Sequence, residues 1–124
     1  MLILSTIPMS LAIVRLNALS PIPTWAIKQK KFFSITKTQD ELSVVCSEEA
    51  VPQNVKAEKG WRCLKVEGPL DFALTGILSS LVQPLAEAKI SIFSISTFDT
   101  DYILIKKENF QKATSILAEF CKIQ

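Results

Sequence analysis

The clearest pattern is in the second half of the chain. An apolar run, Arg62-Cys-Leu-Lys-Val-Glu67, reads as a strand, and a helical spacing follows it: Leu74, Ile77, Leu78, Leu81, Leu85 and Ala88. Asp71 is placed to N-cap that helix, and Pro84 inside it predicts a kink or a restart. Strands over Ile90–Ser96 and Asp101–Lys106 come next. A helix from Glu108 to Cys121 then turns Phe110, Ala113, Leu117 and Phe120 inward, and Lys122–Gln124 leaves room for a short last strand. This order is the split βαβ, ferredoxin-like plan.

The first half repeats it in reduced form. Ser34–Val45 lies under Ser94–Ile105 at a constant shift of 60, each a strand, a short polar turn and a second strand. Thr38, Gln39 and Asp40 then answer to Phe98, Asp99 and Thr100, Glu41 answers to Asp101, and Glu48-Glu49-Ala50 falls under Glu108-Asn109-Phe110. Leu11–Leu16 is the opening strand of this half, with the apolar stretch from Met1 as its lead-in. Pro21 and Pro23 forbid a regular first helix, and Val51-Pro52 stops the second early. Gln53–Gly60 reads as the connector. The expected fold class is α+β: tandem ferredoxin-like βαββαβ units with an antiparallel sheet and helices on one face. Residues 1–59 form a degenerate N-terminal unit and 60–124 a complete one, in one compact body, because about 60 residues are marginal alone.

Composition narrows the chemistry. The 124 residues contain no histidine, which excludes imidazole acid/base catalysis, Ser–His–Asp and Cys–His nucleophiles, and His-ligated metals. The three cysteines, Cys46, Cys63 and Cys121, form no C-x-x-C pair and read as small buried hydrophobes of a reducing, cytoplasmic compartment. A net charge of 14 − 12 = +2 announces neither a nucleic-acid nor a membrane-surface protein. The N-terminal apolar stretch carries its first charge only at Arg15 and is interrupted by Ser5, Thr6, Pro8 and Ser10, so it suits neither a signal peptide nor a membrane span. No cofactor and no metal site is expected.

Two segments carry candidate binding chemistry. In Glu67-Gly-Pro-Leu-Asp-Phe72 a strand turns into a helix: Gly68 permits the turn, Pro69 fixes φ, and the amides around Leu70, Asp71 and Phe72 form an N-terminus that favours a carboxylate. Gly76, one turn into that helix, points to a close neighbour. In Ser96-Thr-Phe-Asp-Thr-Asp101 the link between two strands carries Asp99 and Asp101, either of which suits an ammonium or a guanidinium. An amino acid has both poles. Asp71 as a plain helix cap and Asp99 as a plain turn residue remain the alternatives.

Residues 64–78, 84–88 and 90–104, with Pro21–Trp25, Phe33–Lys37, Glu41–Cys46 and Glu48–Pro52 in the first half, resemble the small tandem ACT-domain proteins of bacteria. They are also similar to the C-terminal ACT domain of the CASTOR arginine sensors and, more distantly, to aspartate kinase regulatory domains. The resemblance covers roughly residues 9 to 121 and is most specific in the second half. It implies a non-catalytic regulatory module that binds a small molecule, most readily an amino acid, and works as a homodimer or through a partner. It also implies backbone contacts to the ligand from Thr97 and Phe98, and a contact from Asp101 to a basic side chain or ammonium. Three other readings compete. One is a protein-interaction module without a ligand. Another is an Mg²⁺ enzyme using Glu67, Asp71, Asp99 and Asp101, which lacks a tuned base or a phosphate loop. The third is an RNA-binding sheet using Lys28-Gln-Lys-Lys-Phe-Phe33, which lacks an RNP1-like octamer.

Overall fold

The computed structural model describes residues 2–68 and 76–124. Its elements are β1 (Leu2–Leu16), α1 (Thr24–Ile27), β2 (Ser34–Lys37), β3 (Leu42–Ser47), a 3₁₀ turn at Glu48–Ala50, β4 (Ala57–Val66), α2 (Ile77–Glu87), β5 (Ile92–Ser96), β6 (Asp101–Lys106), α3 (Lys107–Leu117) and β7 (Cys121–Ile123). The chain forms two compact units, Met9–Trp61 and a second made of Met1–Pro8 with Arg62–Gln124. The long strands β1 and β4 each give one part to each unit. Residues 2–8 therefore pack with the second half of the chain.

In the unit Met9–Trp61 the strand order is β2-β3-β1-β4. Leu11–Leu16 pair antiparallel with Leu42–Ser47, whose other edge takes Ser34–Lys37. In chain order this is the ferredoxin arrangement 4-1-3-2 with both helices cut short. The prolines at 21 and 23 leave a single helical turn at Thr24–Ile27, of which Ala26 is buried, and Pro52 leaves only the 3₁₀ turn. The core is Ala12, Val14, Ala26, Leu42, Val44, Cys46 and Val51.

In the other unit the order is β7-β1-β4-β6-β5. This is again 4-1-3-2, with Leu2–Leu4 of β1 inserted between the fourth strand and the first. That stretch runs parallel to Cys121–Ile123, a parallel pair in a sheet expected to be antiparallel. Pro8 lies between the stretches of β1 paired with β7 and with β3, where its missing N–H costs neither ladder a bond. Leu64, Val66, Ile103 and Ile105 from the strands meet Leu81 and Leu85 of α2 and Ala113 and Leu117 of α3, so both helices cover one face. Alternate residues Cys63 and Leu104 are also fully buried, as are Leu11 and Val45 in the first unit. Burial on both faces explains the continuous apolar runs where a one-faced strand would alternate.

Several boundaries differ from the sequence reading. Ala57–Gly60, read as connector, belongs to β4, which tolerates the interruption because Gly60 takes φ 82 and gives its N–H to Glu48 Oε2 at 3.1 Å. α2 runs through Pro84 without a restart and closes at Lys89, φ 61, with the Ile90 N–H returned to the Leu85 carbonyl at 2.9 Å. β5 accordingly starts at Ile92. α3 ends at Leu117, so Phe120 loses the helical phase and is 39% exposed, where an inward position was expected.

Candidate functional site

The β5–β6 hairpin is in register from Ile92 opposite Ile105 to Ser96 opposite Asp101, which leaves Thr97–Thr100 as its turn. The Thr97 N–H donates to the Thr100 carbonyl at 2.8 Å, and the Thr97 hydroxyl accepts from the Thr100 N–H at 3.3 Å. Thr100 is 5% exposed, and its hydroxyl donates to the Val66 carbonyl at the exit of β4, two residues before Gly68. The turn is thereby fastened to the end of β4. Asp101 is partly buried, on the face of β6 that also carries Ile103 and Ile105, and accepts from Ser96 Oγ at 2.5 Å. A carboxylate has about four acceptor positions, so an ammonium or guanidinium can share it with Ser96.

Of the predicted residues, Thr97, Phe98, Asp99 and Asp101 share this turn, and Gly68 follows the anchored strand end. Phe98 is 79% exposed and Asp99 is exposed at the tip. Pro69, Leu70, Asp71 and Phe72 lie outside the described residues. Gly76 is not inside a helix. It is the N-cap of α2, at φ 78 and without a side chain to cap the first amides, while its carbonyl accepts from Ser80 N–H at 2.9 Å. The described helix N-terminus that favours an anion is therefore at Ile77–Ser79.

Sequence reasoning missed the Thr100 clamp and the Ser96 partner, and it set the internal repeat one residue out. In the first unit the Thr38 N–H donates to the Glu41 carbonyl at 2.9 Å and the Thr38 hydroxyl accepts from the Glu41 N–H at 3.1 Å, the same pattern that Thr97 makes with Thr100. Lys37 pairs with Leu42 as Ser96 pairs with Asp101. The structural shift across the hairpin is thus 97 − 38 = 59, not 60. The paired threonines were the available signal, since such hydroxyls mimic a backbone turn. The correction changes the chemistry: Asp101 answers to the fully buried Leu42, so the first unit has no carboxylate at that position.

A Thr100→Val variant is expected to destabilise the protein by about 1–2 kcal/mol by leaving the Val66 carbonyl short of a partner. Thr100→Ser should recover much of the loss in a thermal melt.

Among the described residues no group of three His, Cys, Asp or Glu side chains is placed to hold a metal ion. The thiols are buried: desolvation pushes Cys46 up to about 11 and Cys63 up to about 12, and raises Cys121 as well. Neutral thiols are poor nucleophiles, so a maleimide is expected to label the native protein slowly at neutral pH and the unfolded protein fast. Because the folded values lie above the ordinary 9.0, their contribution to stability is whole below about pH 9 and is lost as pH rises toward 11–12. Guanidinium midpoints measured across that range should fall.

A βαββαβ unit with both helices on one face of its sheet is the ferredoxin-like plan, and residues 56–119 match the family model of the ACT domain. The chain belongs to the ACT-domain family. A separate family model, of an N-terminal domain, matches residues 10–54. The chain is 31% identical over 99 residues to the Bos taurus cytosolic arginine sensor for mTORC1 subunit 1, with 71% of this chain and 30% of that protein covered. It is 33% identical over 101 residues to the human protein CASTOR3P, covering 71% of this chain and 62% of the relative. The chain thus spans less than two thirds of the length of either. A crystal structure of an Agobacterium tumefaciens protein matches with TM-score 0.93 and 40% identity over 99% of this chain and 92% of that one. A structure of aspartokinase alpha and beta subunits shares the fold, with TM-score 0.63 and 12% identity over 94% and 95% of the two chains. No described helix is long and apolar enough to cross a membrane.

Proposed function

We propose that this chain is a non-catalytic regulatory module that binds an amino acid in its C-terminal ACT domain. The ligand lies in the crevice bordered by Gly68–Phe72 and Thr97–Asp101. Asp101 takes the ammonium or a basic side chain, and uncapped helix amides take the carboxylate. One observation carries this reading: the Thr100 hydroxyl fastened to the Val66 carbonyl holds the Asp101 turn against the strand exit that leads to Gly68. Support also comes from the family and from similarity to a protein named for arginine sensing. The first unit, with Leu42 where the second has Asp101, is a degenerate ACT-like copy that completes the tandem. Output passes to a partner or a second copy through a difference in ligand affinity between two states, the requirement for any regulatory coupling.

A thermal-shift panel of the standard amino acids tests the proposal. A ligand at about 100 times its Kd adds about 2.7 kcal/mol, enough for a clear rise in melting temperature. A selective rise with one or a few members is the expected result. A flat panel would leave an interaction module without a ligand.

A further inference from the structure

The charge of this chain is divided along its length. Residues 1–39 contain Arg15, Lys28, Lys30, Lys31 and Lys37 and no acid, a sum of +5. Residues 40–124 hold the other nine cations and all twelve acids, a sum of −3. The basic part coincides with the stretch where the prolines cut α1 to a single turn. One turn buries only Ala26, and apolar side chains within and around it stay exposed: Leu19 is 90% exposed, Ile22 56%, Ile27 46% and Phe33 42%. Isolated exposed hydrophobes are ordinary, but here four fall within fifteen residues of the chain, interspersed with Lys28, Lys30 and Lys31.

A shallow hollow includes Leu19. Ala18 and Leu19 after β1, with Lys37, Thr38 and Gln39 at the end of β2, line a shallow depression of about 620 Å³ that is wide open to solvent. Lys37 Nζ donates to the Ala18 carbonyl and ties its two walls together. The lining is mainly apolar at the Leu19 wall and cationic at Lys37, and Lys28, Lys30 and Lys31 are exposed farther along the same segment.

We infer that residues 18–37 are a docking surface for an acidic, apolar segment of a partner protein. A Leu-, Ile- or Phe-type anchor seats in the depression against Leu19, and flanking Asp or Glu side chains meet the lysines. Charge complementarity selects this occupant, because a stretch without any acid beside exposed aliphatic groups fits a chain that alternates the two chemistries. The segment shares no residue with the Asp101 turn, so the inference stands whether or not an amino acid binds there.

The test is a selection of displayed random peptides on the full chain, followed by anisotropy titration of the selected peptides. Peptides rich in Asp or Glu together with Leu, Ile or Phe are expected, with affinity that weakens as salt rises. The combined K28E, K30E and K31E change, and separately Leu19→Asp, should each weaken binding about tenfold or more. Lys112→Glu on α3 should leave it unchanged. The substituted side chains are exposed, so melting temperatures should match wild type and separate lost docking from lost folding. The proposal is overturned if no peptide is selected, if the peptides lack acids, or if the variants bind them as well as wild type. Tighter binding of phosphatidylcholine–phosphatidylserine vesicles or of polyuridylate also overturns it. So does a concentration-dependent dimer that Leu19→Asp dissolves.

Discussion

Replacing Leu64 by alanine is expected to lower stability by about 3 kcal/mol, within the roughly 2–5 kcal/mol that buried Leu→Ala changes cost. Leu64 is fully buried near the C-terminal end of β4 and shares a core with Leu4, Val66, Leu81, Leu85, Ile103, Ile105 and Leu117. The loss combines transfer of the missing methyl and methylene groups to water with a cavity that strands and two helices cannot close together. For a chain of this size the melting temperature should drop by on the order of 10 °C. Leu19→Ala is the matched control. Its side chain is 90% exposed, so the change should stay within about 0.5 kcal/mol. A Leu64→Ala protein that melted with wild type would contradict the two-helix core.

The second large effect is on binding. Asp101→Ala should reduce affinity for the amino acid found in the thermal panel by about tenfold to a hundredfold, corresponding to the loss of a hydrogen bond to a charged group worth about 1.5–3 kcal/mol. Folding should be almost untouched, because the side chain's described hydrogen bond, from Ser96, is exposed. Asp101→Asn keeps the shape and one acceptor but removes the charge. If charge attraction dominates, it should resemble alanine in affinity and wild type in melting temperature. Equal affinity in all three proteins, by isothermal titration, would remove Asp101 from the site.

Much of this architecture was legible in the residues, for identifiable reasons. β6 falls on Asp101–Lys106 as its apolar run predicts, and β2 on Ser34–Lys37, because polar turns bound them sharply. The truncated helices follow directly from Pro21, Pro23 and Pro52, since proline acts locally and needs no tertiary knowledge. What escaped depends on contacts distant in sequence. The insertion of Leu2–Leu4 beside β7 joins residues more than a hundred apart, and no periodicity encodes it. Phe120 has the right spacing for an inward position, but α3 ends three residues earlier to let Cys121 enter a strand.

The site divides in the same way. Asp99 and Asp101 could be selected because turn position and charge are local properties, whereas Thr97 and Phe98 came from the family resemblance. The Thr100–Val66 clamp spans 34 positions, so only the fold reveals it. Gly76 drew attention as a glycine inside a helical pattern, and the structure gives the reason as the left-handed N-cap of α2. The amino-acid letters favour an offset of 60, because it sets Glu41 beside Asp101. Hydrogen bonds give 59 and put a buried leucine there instead.

The most direct test of an amino acid held between the clamped turn and the strand exit is a nuclear magnetic resonance titration of the isotope-labelled chain with the ligand found in the panel. Amide shifts concentrated at Val66–Gly68, Gly76–Ser79 and Thr97–Asp101, and suppressed in the Asp101→Ala protein, are the expected result. Saturable shifts confined to other residues, with those three segments unmoved, would contradict it.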